Sequence, residues 1–300
     1  MKKIFLSLIT LIVIVGCHPK EDELYKPIKI ADSLAFPEGP AWDGVNTLYS
    51  SNCYGGWITR IKNNEVDTLV SVPTQPYAFG KTNGLAFHQG YIYACDYGNG
   101  AILKIEPRSR DCFLFCEGYD GKKFNRPNDL AFNSKGDLYF TDPSSYDKEK
   151  KDGVIYRIKN GTNIAEPLFD SLAFCNGIAF SADEKFLYVC ESVFNRVLKF
   201  AVDEEGQLQE PTTFAEIPGG DPDGIAFDQK GNLYVAHFGG SAVYVFDANG
   251  KEIRKIVLPG KKPSNVEFGG EDMKTLFITE CEKNELFKVR VEIAGLKLNQ

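Results

Sequence analysis

The chain has 300 residues, of which 43% are hydrophobic and 25% are charged, with 34 Lys and Arg against 41 Asp and Glu. These values are those of an ordinary globular protein, so they exclude a wholly disordered chain and a collagen-like fibre. The formal net charge of −7 without a basic block argues against a nucleic-acid partner, since phosphates require clustered cations.

The first segment has the layout of a secretory signal. Two lysines precede an uncharged apolar run, and a small glycine stands directly before Cys17. The ending at residues 14–17 resembles a bacterial lipobox, so residues 1–17 are predicted to be a lipoprotein signal peptide with Cys17 as the lipid attachment site. A plain signal peptide or a short membrane helix is the alternative. A polar tether over residues 18–25 follows, and the expected location is the bacterial cell envelope, with membrane contact only through the lipid anchor.

One phrase recurs six times in the rest of the chain: a turn with a polar residue, a short apolar strand, a second turn and another strand. Its copies begin at Phe36, Lys81, Arg126, Phe174, Asp221 and Lys262. An alignment of the copies brings one polar residue of each to the same position: Glu38, Asn83, Asn128, Asn176, Asp223 and Asn265. We call this set the axial ring. Even spacing of this kind is typical of a repeat architecture.

Further strands follow each copy of the phrase. Ala101–Glu106, Gly153–Ile158 and Val243–Asp247 alternate in polarity and are rich in β-branched and aromatic residues, which predicts strands. About four short strands per repeat is typical of a propeller blade. We therefore predict an all-β, six-bladed β-propeller over residues 26–300.

The two ends of the repeat region predict how the ring closes. The last repeat has a third strand near Glu285–Glu292 but little chain for a fourth, whereas a spare strand lies near Pro27–Ala31. We expect the N-terminal strand to complete the last blade, because this pairing hides sheet edges that would otherwise bind other chains.

The axial ring predicts a cation site. Equivalent residues of a propeller return to the same height, so six polar side chains would face the axis, and all of them carry oxygen donors. Hard cations, calcium above all, take six to eight oxygens. The alternative is that Asn-Gly and Asp-Gly are simply turn formers. That alternative is weakest for Glu38 and Asp223, which are anionic.

A second ring of polar residues ends the second strand of each repeat: Asn52, Asp96, Asp142, Glu191, His237 and Glu280. These side chains either line the channel or simply end strands and begin turns. His237 is the member that could titrate near neutral pH.

Seven cysteines remain after Cys17, and their odd number leaves at least one unpaired. Without Cys-x-x-Cys, and with only three His, zinc-ligand spacing is missing. Buried free thiols are the expectation.

The repeated phrases resemble the senescence marker protein (regucalcin) and gluconolactonase family over about residues 30–292. The motifs that carry this resemblance are Pro37-Glu38-Gly39-Pro40 with Trp42, Arg126-Pro-Asn128-Asp-Leu, Leu138-Tyr-Phe-Thr-Asp-Pro143, Asn176-Gly-Ile, Pro222-Asp223-Gly224 and Asn265-Val-Glu-Phe-Gly-Gly270.

This resemblance implies a divalent-cation-dependent hydrolase of lactones, most of all sugar lactones. Calcium is the expected cofactor, with magnesium, manganese or zinc as alternatives. The implied metal ligands are Glu38, Asn128, Asn176 and Asp223; Arg126 and Asn128 match a substrate-binding pair, and Asp223 matches the catalytic proton acceptor or donor. The similarity fades between residues 144 and 151, where we expect the substrate pocket to be shaped.

The remaining candidate pocket residues are Asn83, His237 and Asn265. A monomer acting on a small-molecule lactone is the expected state. Two other functions remain open: a non-catalytic envelope propeller that binds a sugar or protein partner, and a propeller lyase or phosphotriesterase-like enzyme that uses the same cation. The chain contains no Gly-x-Ser-x-Gly turn, so a serine hydrolase lacks its nucleophile.

Overall fold

The structure, a computed structural model, describes residues 24–297, which form 24 strands in six antiparallel sheets of four. The predicted signal peptide with Cys17 lies outside the described residues, as does all but the end of the predicted tether. Within residues 24–297, none of the helical segments has the length and apolar character required to cross a bilayer. The six sheets stand around one axis as blades, so the prediction of a six-bladed propeller is confirmed.

Each blade has its strands in sequence order from the axis outward. The first blade contains β2 (Pro37–Trp42), β3 (Thr47–Asn52), β4 (Trp57–Lys62) and β5 (Glu65–Ser71). The second contains β6 (Thr82–His88), β7 (Tyr91–Asp96), β8 (Ala101–Ile105) and β9 (Cys112–Cys116). The third contains β10 (Leu130–Phe132), β11 (Leu138–Asp142), β12 (Gly153–Ile158) and β13 (Ala165–Leu172).

The other three blades repeat this order. The fourth contains β14 (Cys175–Phe180), β15 (Phe186–Glu191), β16 (Arg196–Ala201) and β17 (Thr212–Glu216). The fifth contains β18 (Asp221–Phe227), β19 (Leu233–Phe238), β20 (Ala242–Phe246) and β21 (Glu252–Val257). The sixth contains β22 (Pro263–Gly269), β23 (Thr275–Glu280) and β24 (Glu285–Arg290), and its outermost strand is β1 (Ile28–Ala31).

The core lies between the blades. The aromatic residue near the end of each inner strand packs against an aromatic residue on the second strand of the preceding blade, with ring centroids 4.8–6.2 Å apart. The six pairs are Phe87 with Tyr49, Phe132 with Tyr93, Phe180 with Tyr139, Phe227 with Tyr188, Phe268 with Tyr234 and Trp42 with Phe277. One aromatic contact repeated around the ring therefore sets both the angle between blades and the closure of the circle.

The N-terminal strand completes the sixth blade. β1 pairs antiparallel with β24, with Ile28 opposite Lys288 and Ala31 opposite Leu286. The N–H of Tyr25 extends this contact by donating to the carbonyl of Arg290 at 2.8 Å. The pairing covers an edge of β24 that would otherwise present free backbone groups.

The inner strands have a β-bulge at or next to the axial-ring residue. In five blades the pairing with the second strand shifts there, as between Glu38 and Ala41 in the first blade. A bulge re-aims side chains away from the ladder. The following residue is glycine in four blades because adjacent strands nearly touch: a Cβ on Gly177 would lie 2.1 Å from the carbonyl oxygen of Asp223.

The cysteines are structural. All seven in the described residues are buried and free, which agrees with the expectation from their number. Burial raises the pKa of Cys53 to about 12, and the other six thiols are shifted in the same direction. Thiols in this state pack as small apolar side chains.

Candidate functional site

Five of the six predicted members of the axial ring share one cavity at one end of the propeller axis. The cavity has a volume of about 250 Å³. Its wall includes Glu38, Asn83, Asn128, Asn176 and Asp223, each from the beginning of a different blade. The repeat spacing was therefore sufficient to bring these oxygen donors together across about 185 residues of chain.

The sixth predicted member, Asn265, is a correction. The pairing of Val266 with Ile278 corresponds to that of Leu85 with Ala94, so Ser264, and not Asn265, is equivalent to Asn83. Asn265 occupies the position that is glycine in four of the other blades, and it lines a second cavity, on the far side of the ring. Its side chain hydrogen-bonds to Glu38 and Asp129. The alignment by polar side-chain type placed the sixth repeat one residue out of register.

The two carboxyls of the cavity are buried without a cationic partner. Glu38 is 4% and Asp223 8% exposed, and within residues 24–297 neither takes part in a salt bridge. Burial, together with the charge of Asp129, raises the pKa of Glu38 to about 8. Burial and then the charge of Glu38 hold the pKa of Asp223 well above its usual range. Each carboxyl therefore opposes ionisation of the other.

Hydrogen bonds fix the side chains around this pair. The amide nitrogen of Asn176 donates to the hydroxyl of Ser192 at 3.2 Å, and that hydroxyl donates to the carbonyl of Pro222 at 2.9 Å. Since the nitrogen is engaged, the amide oxygen of Asn176 is left as a ligand atom. The hydroxyl of Ser50 similarly donates to the backbone carbonyl of Glu38 at 2.9 Å and holds the bulged strand.

Two further carboxyls stand along the axis, and sequence reasoning missed both. Asp129 is at the glycine position of the third blade, 7% exposed, and burial raises its pKa to about 7. Glu267 is in the far cavity, at a position that is alanine in the other five blades. Burial and the charge of Asp129 raise the pKa of Glu267 to about 8. The signal for both was a carboxyl at a position where the repeats otherwise have a small residue.

The second ring holds the backbone that leads into the inner strands. The carboxylate of Asp96 accepts from the N–H groups of Gly80 and Lys81, and that of Asp142 from the N–H groups of Asn125 and Arg126, at 2.7–3.1 Å. The same kind of bond occurs in three other blades, where a backbone N–H just before the inner strand donates to the side chain of Glu191, Glu280 or Asn52. None of the six lines the cavity, so the turn-forming interpretation is the correct one.

His237 is a second correction, because it does not line the cavity. Its side chain is fully buried, with Nε2 2.9 Å from the carbonyl oxygen of Ile217 and the ring edge-on to Tyr244 at 4.8 Å. Burial lowers the pKa of this imidazole. His237 therefore fills in the fifth blade the same structural place that Asn52 fills in the first blade and acids fill in the other four.

Aromatic rings and one guanidinium form the mouth of the cavity. Arg126 lines it as predicted and is exposed. The aromatic lining residues are Phe36, Tyr54, Tyr97, Tyr146, Phe174 and Phe238. Tyr146 belongs to the segment expected to shape the pocket, and its hydroxyl donates to the carboxylate of Asp221 at 2.6 Å. This bond joins the third blade to the fifth across the mouth.

The chemistry of the donor set favours a hard cation. Among residues 24–297, no three His, Cys, Asp or Glu side chains converge in a metal-binding group. The cavity instead combines the two buried carboxyls, and Asp221 at its mouth, with three amides, and oxygen donors of this kind suit calcium or magnesium. A divalent charge between Glu38 and Asp223 would oppose the effect of burial and like charge that raises the pKa of both carboxyls.

Comparisons with known proteins agree with this geometry. The family model described as the SMP-30/Gluconolactonase/LRE-like region matches residues 36–282. A gluconolactonase of Zymomonas mobilis subsp. mobilis is 30% identical, with 89% of this chain and 81% of that protein covered. Lactonase drp35 of Staphylococcus aureus (strain USA300) is 37% identical over 72% of this chain and 82% of that protein. A solved gluconolactonase of Xanthomonas campestris superposes with a TM-score of 0.77 at 30% identity and covers 89% of each chain.

Proposed function

The chain belongs to the SMP-30/gluconolactonase/LRE-like family, and we propose from that membership and from the axial cavity that it is a lactone hydrolase. The observation that carries the proposal is the buried pair Glu38 and Asp223, which share one cavity with three amide side chains. A propeller that serves only as a scaffold has no need of two buried, unpaired carboxyls, because burying charge without a partner is destabilising.

We further propose that a divalent cation, calcium before magnesium, manganese or zinc, binds in this cavity. Glu38, Asn176 and Asp223 would hold it, and Asn128 is the fourth ligand or a substrate contact. The support is electrostatic, because burial and neighbouring negative charge raise the pKa values of both carboxyls and neither has a salt-bridge partner within residues 24–297. The nitrogen of Asn176 donates to Ser192, so its amide oxygen is available. When bound, the ion supplies an electrophile that stabilises negative charge on the carbonyl oxygen of the substrate.

The protein side chains account for the rest of the reaction. Asp223 accepts a proton from the attacking water as the water oxygen bonds to the lactone carbonyl carbon. The ring C–O bond then breaks, and the proton passes to the departing alkoxide, which leaves a hydroxy acid. Because burial and Glu38 disfavour the ionised form of Asp223, a positive charge in the cavity would favour the ionised form that acts as the base.

Substrate binding is assigned to Arg126 and the amides of Asn83 and Asn128. The guanidinium of Arg126 presents paired N–H donors at the mouth, which suit hydroxyl or carboxylate oxygens. The relatives named gluconolactonase, together with one named 6-deoxy-6-sulfogluconolactonase, support a sugar lactone as the substrate.

The test is a metal add-back series with a lactone panel. Protein treated with chelator should lose hydrolysis of aldonolactones, and calcium should restore it best among calcium, magnesium, manganese and zinc. Asp223→Asn should lower kcat by about 10²–10⁴-fold with metal present, the usual contribution of a general base. Glu267→Gln, which changes a carboxyl in the far cavity, should keep wild-type turnover. Metal-loaded protein inactive on every lactone would contradict the proposal.

We also propose a location in the cell envelope, on the sequence of residues 1–17 alone. Cys17→Ala should move the protein from the membrane fraction to the soluble fraction, and globomycin should block processing of the wild type. Membrane association that persists in Cys17→Ala would contradict lipid anchoring.

A further inference from the structure

A ring of rim residues surrounds the mouth of the cavity. Each rim residue precedes by two positions one of the five axial-ring residues in the cavity, or, in the sixth blade, the equivalent Ser264. The six rim residues are Phe36, Lys81, Arg126, Phe174, Asp221 and Lys262. Four of them line the cavity directly. Lys81 Nζ lies 5.5 Å from the ring centroid of Tyr54 and 5.9 Å from that of Tyr97, and Lys262 Nζ lies 5.1 Å from that of Phe238. All three rings belong to the cavity wall, so both lysines reach the mouth.

The rim is cationic in an acidic chain. It has three cations against one acid, whereas the whole chain has a net charge of −7. Across residues 24–297, none of the three rim cations forms a salt bridge. The single rim acid, Asp221, is already bound: one oxygen accepts from Tyr146 at 2.6 Å and the other from Asn195 at 3.4 Å. Asp221 forms no salt bridge with any of the three cations, so the rim keeps a net positive charge.

Lys81 and Arg126 lie on the same side of the mouth, near Tyr97. They begin the adjacent second and third blades, Lys81 Nζ lies over the ring of Tyr97, and Arg126 lines the cavity together with that same Tyr97. Their backbone is fixed from below, since Asp96 accepts from the N–H of Lys81 at 3.0 Å and Asp142 from that of Arg126 at 2.7 Å. Two cations, neither of them in a salt bridge within the described residues, thus stand at the mouth on anchored backbone.

We propose that the lactone substrate carries an anionic group, a carboxylate, sulfonate or phosphate monoester, and that Lys81 and Arg126 bind it. This inference rests on the proposed lactonase function. Guanidinium and ammonium groups bind such oxyanions through charge-assisted hydrogen bonds, and the planar guanidinium does so in pairs. The anionic group points outward, because the inner end of the cavity holds the carboxyls Glu38 and Asp223. A neutral sugar lactone would leave both cations without an anionic partner.

Matched lactones that differ in one substituent, anionic or neutral, test this proposal on the metal-loaded protein. One pair is D-glucaro-1,4-lactone, which has a carboxylate, against D-glucono-1,4-lactone, which has a hydroxymethyl group. The second pair is 6-phospho-D-glucono-1,5-lactone against D-glucono-1,5-lactone, so that the two pairs separate a carboxylate preference from a phosphate preference. We expect kcat/KM for at least one anionic lactone to exceed that of its neutral partner about tenfold or more, as charge-assisted hydrogen bonds provide.

Substitutions assign the preference to named residues. Lys81→Gln should reduce the anionic-to-neutral ratio of kcat/KM about fivefold or more, and raised ionic strength should reduce it in the wild type. Lys104→Gln is the matched control, because Lys104 Nζ lies over Tyr91 at 3.8 Å, away from the mouth. Equal kcat/KM within both pairs, or a ratio unchanged in Lys81→Gln, would overturn this inference and leave the lactonase function standing. Hydrolysis of none of the four lactones would refute the lactonase function and the inference with it.

Discussion

Replacing Glu38 with glutamine should stabilise the metal-free protein and abolish its stabilisation by calcium. The carboxyl is buried, and its pKa in the folded state is about 8 against an ordinary 4.5. Because the folded protein binds this proton more tightly than the unfolded chain, the metal-free wild type loses stability as the pH rises from 4.5 towards 8. Glutamine resembles the neutral acid in shape and has no proton to lose, so the variant avoids that loss.

The magnitude follows from the two pKa values. Each pH unit between 4.5 and the assay pH contributes 1.36 kcal/mol, so at pH 7 the gain of Glu38→Gln approaches about 3 kcal/mol. For a chain of this size, that corresponds to a rise in Tm of roughly 6 °C in chelator. At pH 4 the gain should vanish. With calcium at 100 times its Kd, the wild type should gain about 2.7 kcal/mol and the variant nothing.

The assay is urea and thermal unfolding at pH 4, 7 and 8, with chelator and with calcium. Glu267→Gln is the matched control, since Glu267 also has a pKa raised to about 8 but lies in the far cavity. It should stabilise the metal-free protein to a similar extent and keep the full calcium response. A Glu38→Gln variant that is less stable than wild type in chelator at pH 7, or that responds to calcium like wild type, would refute the reasoning.

Two further predictions concern the same site. The Kd for calcium should rise up to about tenfold for each pH unit below 8, because binding must displace the proton of Glu38; a Kd constant between pH 6 and 8 in calorimetric titration would contradict this. Asp142→Ala leaves the N–H groups of Asn125 and Arg126 without their acceptor, so the free energy of unfolding in urea should fall by about 3 kcal/mol and KM should rise. Wild-type stability with wild-type KM would show that Asp142 does not anchor the mouth.

The propeller was predictable because its sequence signal is periodic. A period of 42 to 48 residues with several strands per repeat leaves few folds, and the shortage of one strand at the C-terminus pointed to the spare segment before the first repeat. The site followed from the same repetition, since Glu38, Asn83, Asn128, Asn176 and Asp223 are equivalent by position. The pairing of β1 with β24, which places Lys29 opposite Phe287, followed from this closure alone.

What the sequence did not predict depends on register and on direction. Asn265 was assigned to the axial ring because three other members of the ring are asparagines, whereas Ser264 is a serine. Only the strand pairing of the sixth blade shows that the alignment was one residue out of register. His237 was a candidate pocket residue because the repeat period gives the position of a residue along its strand but not the direction of its side chain. In the structure the imidazole contacts the carbonyl oxygen of Ile217 and does not line the cavity. Asp129 was overlooked because it sits where four other repeats have glycine for close approach.

Diffraction from crystals grown with excess calcium would test the central claim most directly. We predict one strong peak in the axial cavity, with carboxylate oxygens of Glu38 and Asp223 and the amide oxygen of Asn176 at about 2.3–2.6 Å, the usual calcium–oxygen distance. A cavity without that peak, or an ion bound instead beside Glu267 in the far cavity, would contradict it.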